Sequence, residues 1–224
     1  MKKTIIVCCL MLLAGNIWSQ QPKPVRPAIT DESGEILKKM QKQWMELQSI
    51  KISFTLQSEK KGQMGSSIKG TLWSQGSSYK LQIPGQTIFC DGKNVWNYLP
   101  ESQEVSINPY EDDSRDISIN PLQVITEYDK HYRSAFIREE AEKGIAVQII
   151  DLYPKKVQSF YKIRLVIRKD RQLPLRAVIY ESQKDGSTDT YYFDQIIKNP
   201  KIGSGFFQFN AADYPGVEII DMRE

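Results

Sequence analysis

The stretch Tyr161-Lys-Ile-Arg-Leu-Val-Ile-Arg168 alternates residue by residue: Tyr161, Ile163, Leu165 and Ile167 share one side, while Lys162, Arg164 and Arg168 share the other. A period of two is that of an extended chain, so the segment is a strand with one apolar and one solvated face. Tyr79-Lys-Leu-Gln-Ile83 repeats the pattern. Working outward, the same reading gives strands at 52–59, 66–74, 79–83, 87–90, 95–99 and 104–107, and again at 134–140, 145–153, 160–168, 175–181 and 188–194. The breaks between them are short and carry turn residues, as at Pro84-Gly85, Asp91-Gly92 and Asp185-Gly186. Connections of that length join antiparallel hairpins and are too short for strand–helix–strand crossovers.

Two segments leave the period. Between 32 and 48, Ile36, Met40, Trp44 and Leu47 recur every three or four residues, and Lys38, Lys39 and Lys42 fall mostly opposite. This predicts an amphipathic helix. Between 118 and 130, Leu122, Ile125 and Tyr128 recur by three, with Asn120 as cap and Pro121 at the first helical position. Strands with a single apolar face, about 10–11 of them in one meander, curl strongly through their twist. The helices are then the elements that cover the concave side. The predicted fold is mainly β with two or three helices: an incomplete, unclosed antiparallel barrel with a helical lid or plug. The competing arrangement is a β-sandwich.

The chain has 224 residues, 40% of them hydrophobic and 25% charged, which suffices for one domain with a sizeable core. Lys2 and Lys3 precede the apolar run Ile5–Ala14, and small residues follow at Gly15 and Ser19. That is the order of a secretory signal, read here as residues 1–19 with cleavage near Ser19. A Pro-rich flexible leader, 20–30, separates it from a single domain at 31–224. The formal charge of +3 falls to +1 without the two leading lysines, and no basic block appears, so nucleic acid is not an expected partner. Cys8 and Cys9 leave with the signal. Cys90 remains alone beside Phe89, a buried small residue and not a nucleophile.

Catalytic signatures are missing from the sequence: no Gly-x-Ser-x-Gly, His-Glu-x-x-His, Cys-x-x-Cys or Gly-rich phosphate loop occurs. His131 is the single histidine, so histidine triads and multi-histidine metal sites have nothing to build from. The acidic run Glu111-Asp-Asp-Ser-Arg-Asp116 lacks the spacing and central glycine of an EF-hand loop. The expectation is a protein that is not an enzyme, with no catalytic residues, no metal and no cofactor. Its resource is apolar bulk. The candidate cavity and lid residues are Ile36, Met40, Trp44 and Leu47 on the first helix, with Leu72, Trp73, Tyr79, Leu81, Ile83, Phe89, Trp96 and Tyr98 on the strands. An open barrel lined by such side chains makes a cavity unless its helices fill it. An ordinary filled core is the alternative use of the same residues.

Three stretches, Lys69-Gly-Thr-Leu-Trp73, Tyr79-Lys-Leu-Gln-Ile-Pro84 and Cys90-Asp-Gly-Lys-Asn-Val-Trp-Asn-Tyr98, together resemble the periplasmic outer-membrane lipoprotein carrier family (LolA-like proteins). The resemblance continues through Glu104–Ile107, Asn120-Pro121, Phe207-Gln-Phe209 and Tyr214–Ile219. It implies an unclosed antiparallel barrel with a helical lid, a monomer that uses no cofactor and binds the acyl chains of lipoproteins. It further implies a periplasmic shuttle whose partners are acylated lipoproteins, an inner-membrane lipoprotein-releasing ABC transporter, and the outer membrane or a receptor there. One position departs from the family. Proteobacterial members carry an arginine tied to lid closure shortly after the Leu-Trp pair, where this chain has Ser74-Gln-Gly-Ser77. The alternatives are a periplasmic lipid- or lipopeptide-sensing domain of the same fold, or a secreted hydrolase.

Overall fold

The structure, a computed structural model, describes residues 31–60, 62–110, 123–181 and 186–223. The expected signal 1–19, the leader 20–30, the acidic run Glu111–Asp116 and the Asn120-Pro121 helix start lie outside the described residues. Helix α1 (Asp31–Met45) comes first, then β1 (Ile50–Lys60), β2 (Gln63–Gln75), β3 (Ser78–Ile83), β4 (Gln86–Cys90), β5 (Asn94–Leu99) and β6 (Glu104–Pro109). Two one-turn helices follow, α2 (Gln123–Thr126) and α3 (Tyr128–His131). After them come β7 (Tyr132–Glu142), β8 (Ile145–Pro154), β9 (Lys162–Arg168), β10 (Leu173–Tyr180), β11 (Thr188–Lys198) and β12 (Glu218–Asp221).

All twelve strands belong to one sheet, in the order β12-β6-β5-β4-β3-β2-β1-β11-β10-β9-β8-β7. The two outermost strands, β12 and β7, do not pair with each other, so the sheet is open, as the strand count and hairpin turns predict. A single sheet excludes the sandwich. The long step from β1 to β11 is where the chain closes on itself: Ile50–Glu59 pairs with Lys198–Thr188. Turn chemistry behaves locally as expected. The Asp91 carboxylate accepts the backbone N–H groups of Lys93 and Asn94 at 2.9 and 2.8 Å, which leaves Gly92 at φ +85° in the left-handed region.

Two details differ from the sequence reading. The twelfth strand pairs parallel to β6, Glu218–Asp221 against Glu104–Ile107, and all four of its residues are exposed. It has no buried face, so no alternation marks it. The mid-chain helix is two helices, because Glu127 takes φ −128° and ψ 21° and interrupts the ladder between α2 and α3.

The core lies on one face of this curled sheet. Buried side chains of β1–β4 and β8–β11 join those of α1, α2 and α3 in one apolar cluster. In α1 the buried apolar positions are Ile36, Leu37, Met40 and Trp44, with Lys38, Lys39 and Lys42 exposed on the far side. Each such burial contributes about 1.5–3 kcal/mol. A helix of this length is marginal alone, so the contact with the sheet is what holds it.

Candidate functional site

The concave face gathers eight of the twelve candidate residues. Ile36, Met40 and Trp44 of α1, Leu72 of β2, and Tyr79 and Leu81 of β3 are buried in the common cluster, with Leu47 and Ile83 packed against it half-buried. The cluster continues across Phe54 of β1 to Ile163 and Leu165 of β9, Ala177 and Ile179 of β10, and Tyr191 and Phe193 of β11. Phe54 leans on Tyr191, with ring centroids 5.6 Å apart. Gly70 makes room for it: a Cβ there would lie 2.3 Å from Phe54 Cζ and 2.9 Å from Ile83 Cγ2. The glycine of the Gly-Thr-Leu-Trp stretch is thus a packing requirement, set by a ring on the neighbouring strand.

Trp73, Phe89, Trp96 and Tyr98 do not join them. Directly paired residues share a face, and Leu72 pairs with Leu81, which pairs with Ile88. The adjacent row, Trp73–Lys80–Phe89–Trp96, therefore faces outward, as does Tyr98 opposite Thr87. The expected placement of these four in the cavity is corrected. In a pair such as Leu72-Trp73 only one side chain can point inward, and the period of two leaves open which one. The segment that follows β11 covers the outward row. Phe206 meets Trp73 at 5.6 Å, Phe209 meets Phe89 and Tyr98 at 5.8 Å each, and Tyr214 stacks on Phe209 at 4.7 Å. Lys80 Nζ sits over Phe89 and Phe206 at 4.5 and 4.8 Å, and burial lowers its pKa.

A crevice of about 10 Å³, one water in size, lies where Val124 and Ile125 of α2 press on the strands. Its other walls are Ile163, Leu165, Ala177, Ile179, Tyr191 and Phe193. None of these eight is among the twelve candidate residues. Ile163 and Leu165 carried a signal in their clean alternation, but the fold alone places them under α2. In this closed arrangement the small helices occupy the space that an open sheet would leave.

A family model for the outer membrane lipoprotein carrier protein LolA matches residues 45–210. The chain belongs to the LolA family. It is 30% identical over 138 residues to an outer-membrane lipoprotein carrier protein of Pasteurella multocida, and 28% over 138 residues to one of Histophilus somni. These matches cover 61% of this chain and 60% and 61% of those two proteins, so the chain spans about three fifths of the curated relatives it matches. A solved structure of an uncharacterised conserved protein from Thermus thermophilus shares the fold, with TM-score 0.57 and 15% identity over 86% of this chain and 99% of that one.

This LolA-family chain ties its helices down without an arginine after the Leu-Trp pair. Ser74 and Gln75 end β2, and Gly76 lies in the turn to β3 at φ +58°. Beside their apolar packing, Gln41 Nε2 of α1 donates to the Thr126 carbonyl of α2 at 2.6 Å, and Ser33 Oγ of α1 lies 2.9 Å from Ser134 Oγ of β7. His131 closes α3, with Nε2 3.4 Å from a Glu127 carboxylate oxygen. Among the described residues, no group of three or more His, Cys, Asp or Glu side chains is placed to hold a metal ion. Cys90 is buried in the cluster, and burial pushes its thiol up. It is expected to resist maleimide in the folded protein and to label fully in urea; rapid labelling of the native protein would contradict its placement.

Proposed function

We propose that this protein is a periplasmic carrier that takes the acyl chains of lipoproteins into the space now closed by α1–α3. It would receive its cargo from an inner-membrane ABC transporter and pass it to the outer membrane or to a receptor there. The observation that carries this reading is the join between lid and sheet. A continuous apolar face is covered at the crevice by α2, which Gln41 of α1 helps to hold down, while Ser33 ties α1 itself to Ser134 of β7. Local opening of such a cover need not unravel the sheet beneath it. A displaced lid exposes hydrocarbon-sized apolar surface, and each acyl methylene buried there contributes about 0.8 kcal/mol. The family match and the carrier relatives support the same reading. Its corollaries are export by the segment 1–19, a working domain at 31–224, action as a monomer, and no catalytic step.

Membranes bearing a lipoprotein and its releasing transporter provide the test. With ATP, the wild-type protein should bring lipoprotein into the soluble fraction as a complex, and Leu81→Met should do so nearly as well because the swap conserves volume. Leu81→Glu sets a carboxylate among acyl chains and should release none. A folded Leu81→Glu protein that still carries lipoprotein would refute the proposal.

A further inference from the structure

Trp44 lies on the inner stripe of α1, 6% exposed and inside the apolar cluster, and its indole nitrogen Nε1 has no hydrogen-bond partner. An indole N–H is a donor only and, unlike a side-chain amide, cannot be turned over to present an acceptor. An apolar cluster that encloses such a donor bears its full desolvation unless something supplies an oxygen. Phenylalanine at this position would fill much the same space without that cost. Two other buried side-chain oxygens also lack a partner. Gln148 Oε1 and Gln172 Oε1 are buried without a partner, Gln148 opposite Ile167 in β9 and Gln172 in the turn between β9 and β10. The last turn of α1 rests on that same turn. Gln43, next to Trp44, reaches it when its amide is turned over, the nitrogen then donating to the carbonyls of Arg171 and Gln172 at 3.2 Å each.

We infer that the Trp44 N–H is a binding group for the carbonyl of an acyl linkage, marking the depth at which the hydrocarbon of a bound lipid ends. This rests on the proposed acyl-binding function and deepens it. A bare hydrocarbon brings no acceptor into the cluster, whereas an ester- or amide-linked acyl chain brings one on its first carbon. Chains seated by this bond would enter with a defined register, which apolar contact alone does not impose.

The test compares two lipids of equal chain length and headgroup, one a diacyl ester and the other its dialkyl ether, bound to the wild-type protein and to Trp44→Phe. The wild type should bind the ester about tenfold more tightly than the ether, the effect of one buried neutral hydrogen bond. Trp44→Phe should bind both with the affinity the wild type has for the ether, and without lipid should be no less resistant to urea. Equal binding of ester and ether by the wild type, or a preference that survives in Trp44→Phe, overturns the inference and leaves the acyl cavity standing. If neither lipid binds the wild type, the cavity reading falls and this inference with it.

Discussion

Replacing Asp151 with alanine is expected to destabilise the protein by about 3–5 kcal/mol, the range for removing one partner of a buried ion pair. Asp151 is 2% exposed on the outward face of β8. Its carboxylate accepts two hydrogen bonds from Arg164, Nε at 2.6 Å and Nη2 at 2.9 Å, and Lys162 Nζ lies 3.2 Å away. The paired carboxylate holds the Arg164 guanidinium well above its ordinary pKa. Lys162 Nζ also sits 4.1 Å over the Tyr180 ring. Removing the carboxylate leaves two half-buried cations facing each other, a repulsion added to the lost bonds. Urea denaturation of Asp151→Ala measures the loss, and a change below about 1 kcal/mol would show the cluster to be as weak as a surface pair. Acyl binding by the folded fraction should be unchanged, because Asp151 stands on the face away from α1–α3.

Gly70→Val should cost about 3 kcal/mol or more, at the upper end of overpacking penalties, since its Cβ falls within van der Waals contact of a ring that has nowhere to go. Phe54 is itself pinned between Gly70 and Tyr191. The variant's midpoint in urea should drop sharply, and adding Phe54→Leu should recover part of the loss. Independent, additive effects of the two substitutions would mean that the ring and the glycine are not in contact.

Much of the architecture was legible because it is written in a period. Tyr161–Arg168 and Tyr79–Ile83 alternate cleanly, and Asp91-Gly92 names its turn. The α1 stripe was legible too at Ile36, Met40 and Trp44, down to which lysines face water, whereas Leu47 lies beyond the helix end at Met45. What was hidden lacks a pattern. Strand β12 is exposed on both faces, so nothing in Glu-Ile-Ile-Asp separates it from a tail. Leu72-Trp73 and Ile88-Phe89 place two large residues side by side, and only the register with β3 and the aromatic cover from Phe206, Phe209 and Tyr214 sends Trp73 and Phe89 outward. The need for glycine at 70 depends on a side chain sixteen positions earlier. The crevice walls on β9–β11 belong to a half of the sheet that meets β1 through the long-range β1–β11 pairing, a contact that no local signal announces.

In the proposed function, the apolar face beneath α2 and α3 opens to admit acyl chains. The most direct measurement is hydrogen exchange on the purified protein with and without a synthetic diacylated lipopeptide, with native mass spectrometry counting the adducts. The expected result is one lipopeptide per chain, faster exchange at 123–131 as the small helices are displaced, and retained protection in β9. A protein that takes up no lipopeptide, or takes it up with exchange at 123–131 unchanged, would contradict it.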